Sequence, residues 1–383
     1  MVYILHMKVY FDNAATTMVR KEAIEAMNTV MKGDFGNPSS MHSFGRYAKK
    51  ELENARENIA NALGTDSKNI YFTSGGTEAN NLAIFGVIDS LKHKGRHIIT
   101  SAIEHSAVKA PIEKLEKSGW EVTYLKPDAS GRITPEVFSS ALRVDTVFAS
   151  IMLVNNETGA VNPVGAYCAG IKKRGLCTVL HTDAVQGLCK IPFTVKSLGA
   201  HMLSISSHKL HGPKGVGALY AADGLKLTPI LLGGNHEDGL RGGTEALHAA
   251  VGFGEAVKLG IKELADVSAF VREIREYTVS ELKAQIPDIE IIGDGDSPYI
   301  LCISLPGYKS EVLMNYLDSE GICVSKGAAC KKGARSPTLE AMNLRNDVID
   351  SALRVSFSKY STMEEVDYFV EMLKHATKVL IKI

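Results

Sequence analysis

Ser206-Ser207-His208-Lys209-Leu210-His211-Gly212-Pro213-Lys214-Gly215-Val216-Gly217 joins two apolar runs. The alternating residues Met202, Leu203 and Ile205 lead into it, and the strand-like run Val216 to Ala221 leads out. A lysine in such company is ordinary as a surface charge. At the end of a buried strand it is not. Burial and neighbouring cations lower an amine from its usual pKa of ~10.4, and a neutral amine forms Schiff bases with aldehydes. Ser206 and His208 stand at i and i+2, on one face of an extended chain, where they can hold a phosphate. The rival reading is glycine-rich phosphate binding of another kind. The spacing matches neither a Walker loop nor a GxGxxG turn after a strand.

Outward from this stretch, strands and helices alternate over residues 69–221. Asn69 to Thr73 reads as a strand, followed by Ser74-Gly75-Gly76-Thr77-Glu78-Ala79-Asn80 and an apolar helix to about Leu91. A strand, a glycine turn and a helix N-terminus form an anion-binding geometry; a plain helix cap at Thr77 is the alternative. Strands are also read at His97–Ser101, Trp120–Leu125 and Asp145–Val154, the last ending in Asn155-Asn156-Glu157-Thr158-Gly159. Thr178 to Asp183 is another, and Asp183 after its apolar run is either a buried carboxylate in need of a partner or a capping or loop aspartate. The pattern predicts a right-handed, mainly parallel sheet covered on both faces, with ligand groups at the strand ends.

Before residue 69, helices are read at Lys21–Lys32 and Phe44–Leu63. After residue 221 come the glycine-rich loop Gly233–Thr244, one long helix over 246–286 with a break around 265–268, and strands at Tyr299–Leu305, Ile322–Val324 and Leu353–Phe357. The closing helix runs from Met363 to Ile381.

The 383 residues suggest about two domains. An apolar content of 45% and a charged content of 22% are those of a soluble globular protein. The formal net charge is zero, which gives no footprint for nucleic acid or an anionic membrane. No apolar run is long enough to span a bilayer. Met1 to Lys8 lacks a signal-peptide pattern, and Met7 is an alternative start. Six cysteines without CxxC spacing argue against a disulfide framework or a zinc site, so no metal and a reducing cytoplasm are expected. Cys168, Cys177, Cys189, Cys302 and Cys323 read as small core residues. Cys330 differs: Lys326, Lys331, Lys332 and Arg335 surround it, and cations favour the thiolate. Arg354 is either a surface ion-pair member or a fork for a substrate carboxylate.

Taken together, the motifs resemble those of the NifS/IscS-type cysteine desulfurases, pyridoxal-phosphate enzymes of the class V aminotransferase group. The resemblance runs from Tyr10-Phe11-Asp12-Asn13-Ala14-Ala15-Thr16-Thr17 to Leu353-Arg354-Val355-Ser356-Phe357-Ser358. It is most specific at Thr73-Ser74-Gly75-Gly76-Thr77-Glu78, Glu104-His105, Val154-Asn155-Asn156-Glu157, His181-Thr182-Asp183-Ala184-Val185-Gln186, Ser207-His208-Lys209, and His236-Glu237 through Gly243-Thr244.

The resemblance implies a fold-type I pyridoxal 5'-phosphate-dependent transferase. Its large domain, over 16–266, holds a mainly parallel seven-stranded sheet; residues 1–15 and 267–383 form a smaller α+β domain with the cysteine loop. It implies that Lys209 binds the cofactor as a Schiff base, that Asp183 pairs with the ring nitrogen, and that Gln186 bonds the ring oxygen. His105 stacks on the ring. Gly76, Thr77, Ser206 and His208 hold the phosphate, joined by Thr244 from the other subunit of a homodimer. Asn155 and Arg354 hold the substrate carboxylate. Cys330 takes sulfur from L-cysteine, leaving L-alanine, and passes it to an acceptor such as a cluster scaffold or a thiolation enzyme. A selenocysteine lyase, a class V aminotransferase and a non-catalytic sulfur-assembly partner are the alternatives. The sequence departs from the family around the acceptor: Ser325-Lys326-Gly327-Ala328-Ala329-Cys330 stands where a serine-rich segment is usual, the segment after the cysteine is about two residues shorter, and Asn235 replaces a glycine.

Overall fold

The computed structural model describes residues 7–33, 35–326 and 335–382. Cys330, with Lys331 and Lys332, lies outside the described residues, as do Met1 to His6.

The chain begins with β1 (Val9–Tyr10), then α1 (Lys21–Lys32) and α2 (Ser43–Leu63). The His42 side chain caps α2 by accepting from the Gly45 amide, and Gly64, at φ +68°, closes it in the left-handed conformation that glycine adopts freely. An alternating series follows: β2 (Ile70–Thr73), α3 (Gly76–Leu91), β3 (His97–Ser101), α4 (Ser106–Lys117), β4 (Glu121–Leu125), α5 (Pro135–Ala141), β5 (Thr146–Ser150), α6 (Val164–Lys173), β6 (Val179–Asp183), α7 (Val195–Leu198), β7 (Met202–Ser206) and β8 (Gly217–Ala221). These strands form one seven-stranded sheet in the order β2-β8-β7-β6-β5-β3-β4. Its pairings from β7 to β4 are parallel, whereas β8 is antiparallel to both β7 and β2. The exception follows from length. Ser207 to Val216 is too short for a crossover helix, so the chain must double back.

The sheet is apolar on both faces, as its near-continuous hydrophobic strands require. Ile99, Leu180, Leu203 and Ile205 point into a core shared with α1, α2 and α6. Ile98, Phe148, Val179 and Met202 point into another, against α3 and α4. The regular part of β5 stops at Ser150, short of the expected Val154, although the Ile151 and Leu153 amides still reach carbonyls of β6.

The long helix expected over 246–286 is two: α8 (Leu247–Lys262) and α9 (Leu264–Gln285). The break falls at Glu263, whose carboxylate is held by Arg20 at 2.8 Å and Lys359 at 3.0 Å. A separate core surrounds α9, β9 (Glu290–Ile292), β10 (Ile300–Ser304), α10 (Ser310–Ser319), β11 (Ile322–Cys323), α11 (Pro337–Ala341), α12 (Asn346–Asp350), β12 (Ala352–Ser356) and α13 (Met363–Val379). Strand β9 and helices α7, α11 and α12 are absent from the sequence reading; each is too short to show a period. The N-terminal segment joins this second core: β1 pairs with β11, and Phe11 meets the rings of Phe357 and Phe369 edge-on at 5.3 and 5.8 Å. Residues 14–17 thereby pass from one core to the other, across the ends of the parallel strands.

Candidate active site

A cavity of about 620 Å³ opens at the carboxyl ends of β5, β6 and β7, where open parallel sheets bind ligands. Its wall contains Gly76, Thr77, His105, Asp183, Gln186, Ser206, His208, Lys209 and Arg354. The structure thus brings together nine residues that the sequence analysis singled out from five separate segments.

Lys209 ends a single 3-10 turn that follows β7. Its Nζ donates to the carbonyls of Ala14 at 2.7 Å and Ala15 at 2.6 Å. Burial and the nearby Arg354 guanidinium lower its pKa to about 8. His208 beside it is depressed to about 4 by burial and by Lys209 and Lys214, so its ring is neutral at physiological pH. Its Nδ1 lies 3.1 Å from the Thr16 hydroxyl.

Asp183 closes β6 and is buried, as expected from its apolar run. One carboxylate oxygen accepts from the Asn80 amide at 2.7 Å, the other from the Val185 N–H at 3.0 Å. Asn80, on α3, is a site residue that the sequence reading missed; its position one turn into the helix carries no local signature. Helix α3 starts at Gly76 with no side-chain cap, which leaves its first N–H groups and dipole facing the cavity beside Ser206 and His208. A Cβ at Gly76 would lie 2.8 Å from Val185 Cγ2, so the close approach of the helix to the turn after β6 favours glycine there.

His105 is the N-cap of α4. Its Nδ1 accepts from the Ala107 N–H at 3.1 Å, which places the proton on Nε2 and turns the ring edge into the cavity wall. Its neighbour Glu104 is buried. Desolvation raises its pKa to about 8, against the opposing hydrogen bonds from Ser101 and the Met152 amide. One Glu104 oxygen has no partner among the described residues, nor do Asn80 Oδ1 and Arg354 Nε. Buried polar atoms without partners in a cavity wall are a signature of a site built for a polar ligand.

Arg354, on β12, is buried, so the surface ion-pair reading fails. It is nevertheless engaged: one arm donates to Asp12 Oδ1 at 2.8 Å and the other to the Asn156 carbonyl at 2.9 Å. Asn155 has other work than the substrate contact expected of it. Its side chain is fully enclosed; its Oδ1 accepts from the Glu157 and Thr158 amides at 2.9 Å and its Nδ2 donates to Ile103 at 3.2 Å. It fixes the turn after β5, and Asn156 lines the cavity instead. Thr244 is exposed and is not among the lining residues.

The chain leaves and re-enters the described region beside this site. Lys326 is tied to Glu311 at 2.5 Å, and Arg335 forks onto Asp350 at 2.7 and 2.9 Å. Ser336 and Thr338 both donate to Glu157, and Pro337 and Thr338 line the cavity. Of the other cysteines, Cys168 and Cys302 are buried, Cys189 and Cys323 partly so, and Cys177 is exposed, contrary to its reading as a core residue. It lies in the irregular stretch between α6 and β6, where apolar neighbours in sequence do not enclose it. Burial pushes the Cys189 and Cys302 thiols up to about 12, which makes them poor nucleophiles. Among the described residues no group of three His, Cys, Asp or Glu is placed to hold a metal, and no helix is long and apolar enough to cross a membrane.

The lowered Lys209 value has a measurable consequence. At pH 7 roughly a tenth of the amine is neutral, against well under a thousandth for an ordinary lysine. Covalent uptake of an aldehyde ligand should therefore rise about tenfold per pH unit up to ~8 and then level off. Stopped-flow mixing of ligand-free protein with pyridoxal phosphate measures it; a midpoint near 10 would show that Lys209 is not desolvated.

The family model for class-V aminotransferases matches residues 9–369. A cysteine desulfurase, IscS, of Dictyoglomus turgidum is 42% identical over 377 residues, covering 97% of this chain and 95% of its own. The IscS cysteine desulfurase of Methanosarcina thermophila is 38% identical, covering 97% and 92%. Among solved structures, a NifS-like protein superposes with a TM-score of 0.93 at 36% identity, covering 98% of this chain and 100% of its own. SspA in complex with cysteine superposes with a TM-score of 0.79 at 34% identity, covering 93% and 100%.

Proposed function

From the premise that this chain belongs to the class-V aminotransferase family, among the cysteine desulfurases, we propose that it binds pyridoxal 5'-phosphate at Lys209 and converts L-cysteine to L-alanine, leaving the sulfur as a persulfide on Cys330. The observation that carries the reading is the Lys209 amine, lowered to about 8, in one cavity with the Asp183 carboxylate and the uncapped start of α3.

The residues present fit the cofactor. The free N–H groups at Gly76 and Thr77, with Ser206 and neutral His208, suit a phosphate. Asp183, held rigid by Asn80 and Val185, suits a protonated ring nitrogen. His105 stands in the wall with its Nδ1 occupied, free to face a ring. When bound, the cofactor supplies an electron sink for the substrate α-carbon. Lys209 Nζ would hold the cofactor through its aldehyde, and its free amine, lowered to about 8, would move the proton at cysteine Cα. Arg354 exchanges a contact with Asp12 or Asn156 for the substrate carboxylate, a bidentate match for its planar fork. Cys330, as thiolate, attacks the substrate Sγ. A sulfur–sulfur bond forms, the carbon–sulfur bond breaks, and its electron pair ends as a C–H bond of alanine. The division into a large unit over 16–266 and a smaller one from 1–15 and 267–383 belongs to the same reading; the separate apolar cores support it.

The homodimer is part of this proposal. Thr244 lies outside the cavity of its own chain, and Phe35, Met41 and Leu232, at 72%, 93% and 86% exposure, are large apolar groups left open to solvent. Pro38 and Ser39 line one groove with Asn235 and His236, so the 35–44 segment adjoins the 233–244 loop. A second copy is the occupant that these features fit. Light scattering should give twice the chain mass, and Thr244→Ala should weaken cofactor retention; a fully active monomer sinks this part. For the activity itself, adding pyridoxal phosphate should give a visible absorption band, and borohydride should fix the cofactor to the Lys209 peptide. Protein that stays colourless contradicts the reading. Kinetics on L-cysteine and L-selenocysteine separate this reading from a selenocysteine lyase.

A further inference from the structure

A smaller pocket shares Lys209 with the main cavity and is lined on its other side by Lys190, Cys189 and Tyr299. Lys190 is 5% exposed. Among the described residues no carboxylate lies within ion-pair distance of it; its Nζ stands 5.7 Å from the Tyr299 ring centroid and donates to Gln186 Oε1 at 2.8 Å. A buried lysine without a counter-ion is costly, and the function as described makes no use of it.

We infer that Lys190 is a positioning residue for Gln186, clamping and polarising its amide so that an N–H is turned into the cavity in front of Lys209. An ammonium has three donors and no acceptor, so Gln186 must present its oxygen to Lys190 and its NH₂ the other way. One of those hydrogens goes to the Ala14 carbonyl at 2.8 Å. The same carbonyl accepts from Lys209 Nζ at 2.7 Å. Lys190, Gln186, Ala14 and Lys209 therefore form one hydrogen-bonded row, and the second Gln186 hydrogen remains for a ligand in the cavity that Gln186 lines. The charge-assisted bond on Oε1 withdraws electrons from the amide and strengthens that N–H as a donor. Burial and the nearby Lys209 and Arg354 charges lower Lys190 to about 7, so the ammonium that polarises the amide predominates below that pH, where the spectra are compared.

This inference rests on pyridoxal phosphate being the ligand, whose ring oxygen is the acceptor such an N–H would meet. An anionic ring oxygen favours the visible band of the bound cofactor over its near-ultraviolet band. In Lys190→Met, at fixed pH, the visible to near-ultraviolet ratio should fall about fivefold, the worth of one hydrogen bond. Lys190→Arg, which keeps a charged donor, should restore most of it. In a Gln186→Leu background, Lys190→Met should change the ratio no further, because its effect passes through the amide. Lys190→Gln keeps a neutral donor; it should give an intermediate ratio and serves if Lys190→Met does not fold. An unchanged ratio in Lys190→Met, or an equal drop in the Gln186→Leu background, overturns the inference, whatever happens to the melting temperature. Native protein without any visible band fails the cofactor reading instead, a separate outcome.

Discussion

Lys209→Ala abolishes turnover while leaving the fold and most cofactor binding in place. The loss should be a thousandfold or more, on the order of what removal of a general base costs, with loss of the covalent attachment added to it. The protein should fold at least as well as the native chain. Lys209 is a partly buried amine pushed down to about 8 by desolvation and by Arg354, so its removal relieves an unfavourable desolvation. Its two hydrogen bonds go to the Ala14 and Ala15 carbonyls, the first of which keeps a donor in Gln186. The phosphate cradle at Gly76, Thr77, Ser206 and His208 is untouched, so cofactor should survive brief dialysis but wash out more readily, and borohydride should no longer fix it. Alanine production, cofactor content and melting temperature together check this. Turnover above about a tenth of native would mean that another group moves the proton.

Cys330→Ala should be as severe and should differ in kind. The cofactor band and its response to L-cysteine should persist, because Lys209, Asp183 and Arg354 are unchanged. Alanine should fall on the order of a thousandfold, the scale of nucleophile deletions, and no protein persulfide should form. The described cysteines offer no substitute near the site: Cys302 and Cys189 are raised to about 12, Cys323 is raised by burial and by Asp318, Cys168 is buried, and Cys177, though exposed, is not a cavity residue. That exposure shapes the labelling experiment. Brief alkylation in a Cys177→Ser background should modify Cys330 first and stop sulfide release in proportion. If Cys330→Ala turns cysteine over at the native rate, a lyase that expels sulfur directly replaces the persulfide route.

The legible part of the fold was the part with a period. Strands β2 to β7 and helices α1 to α4 announce themselves because each is long, apolar on a fixed spacing, and punctuated by glycine or a cap. The reversal of β8 was not announced, because direction depends on the length of a connection rather than on the strand's composition. The same contrast holds in the site. Lys209, Asp183 and His105 stand where strands end or helices begin, and their places are readable. Asn80 lies inside a helix and Lys190 within a turn, and they matter through what they hold; only the folded chain puts Asn80 on Asp183 and Lys190 on Gln186. Asn155 shows the converse. Its position after β5 looked like a ligand position, yet the Ile103 carbonyl, the Met152 sulfur, the Glu157 and Thr158 amides and the Thr158 hydroxyl occupy its side chain.

The central claim is that sulfur leaves cysteine for a protein thiol while the carbon skeleton becomes alanine. Incubation of the cofactor-loaded protein with L-cysteine, without reductant, tests it directly. The account predicts about one alanine and one persulfide per active site, the persulfide mapping to Cys330 by mass spectrometry, with sulfide and continuous alanine appearing once reductant is added. Pyruvate or free sulfide in place of alanine and persulfide, or a persulfide on another cysteine, would contradict it.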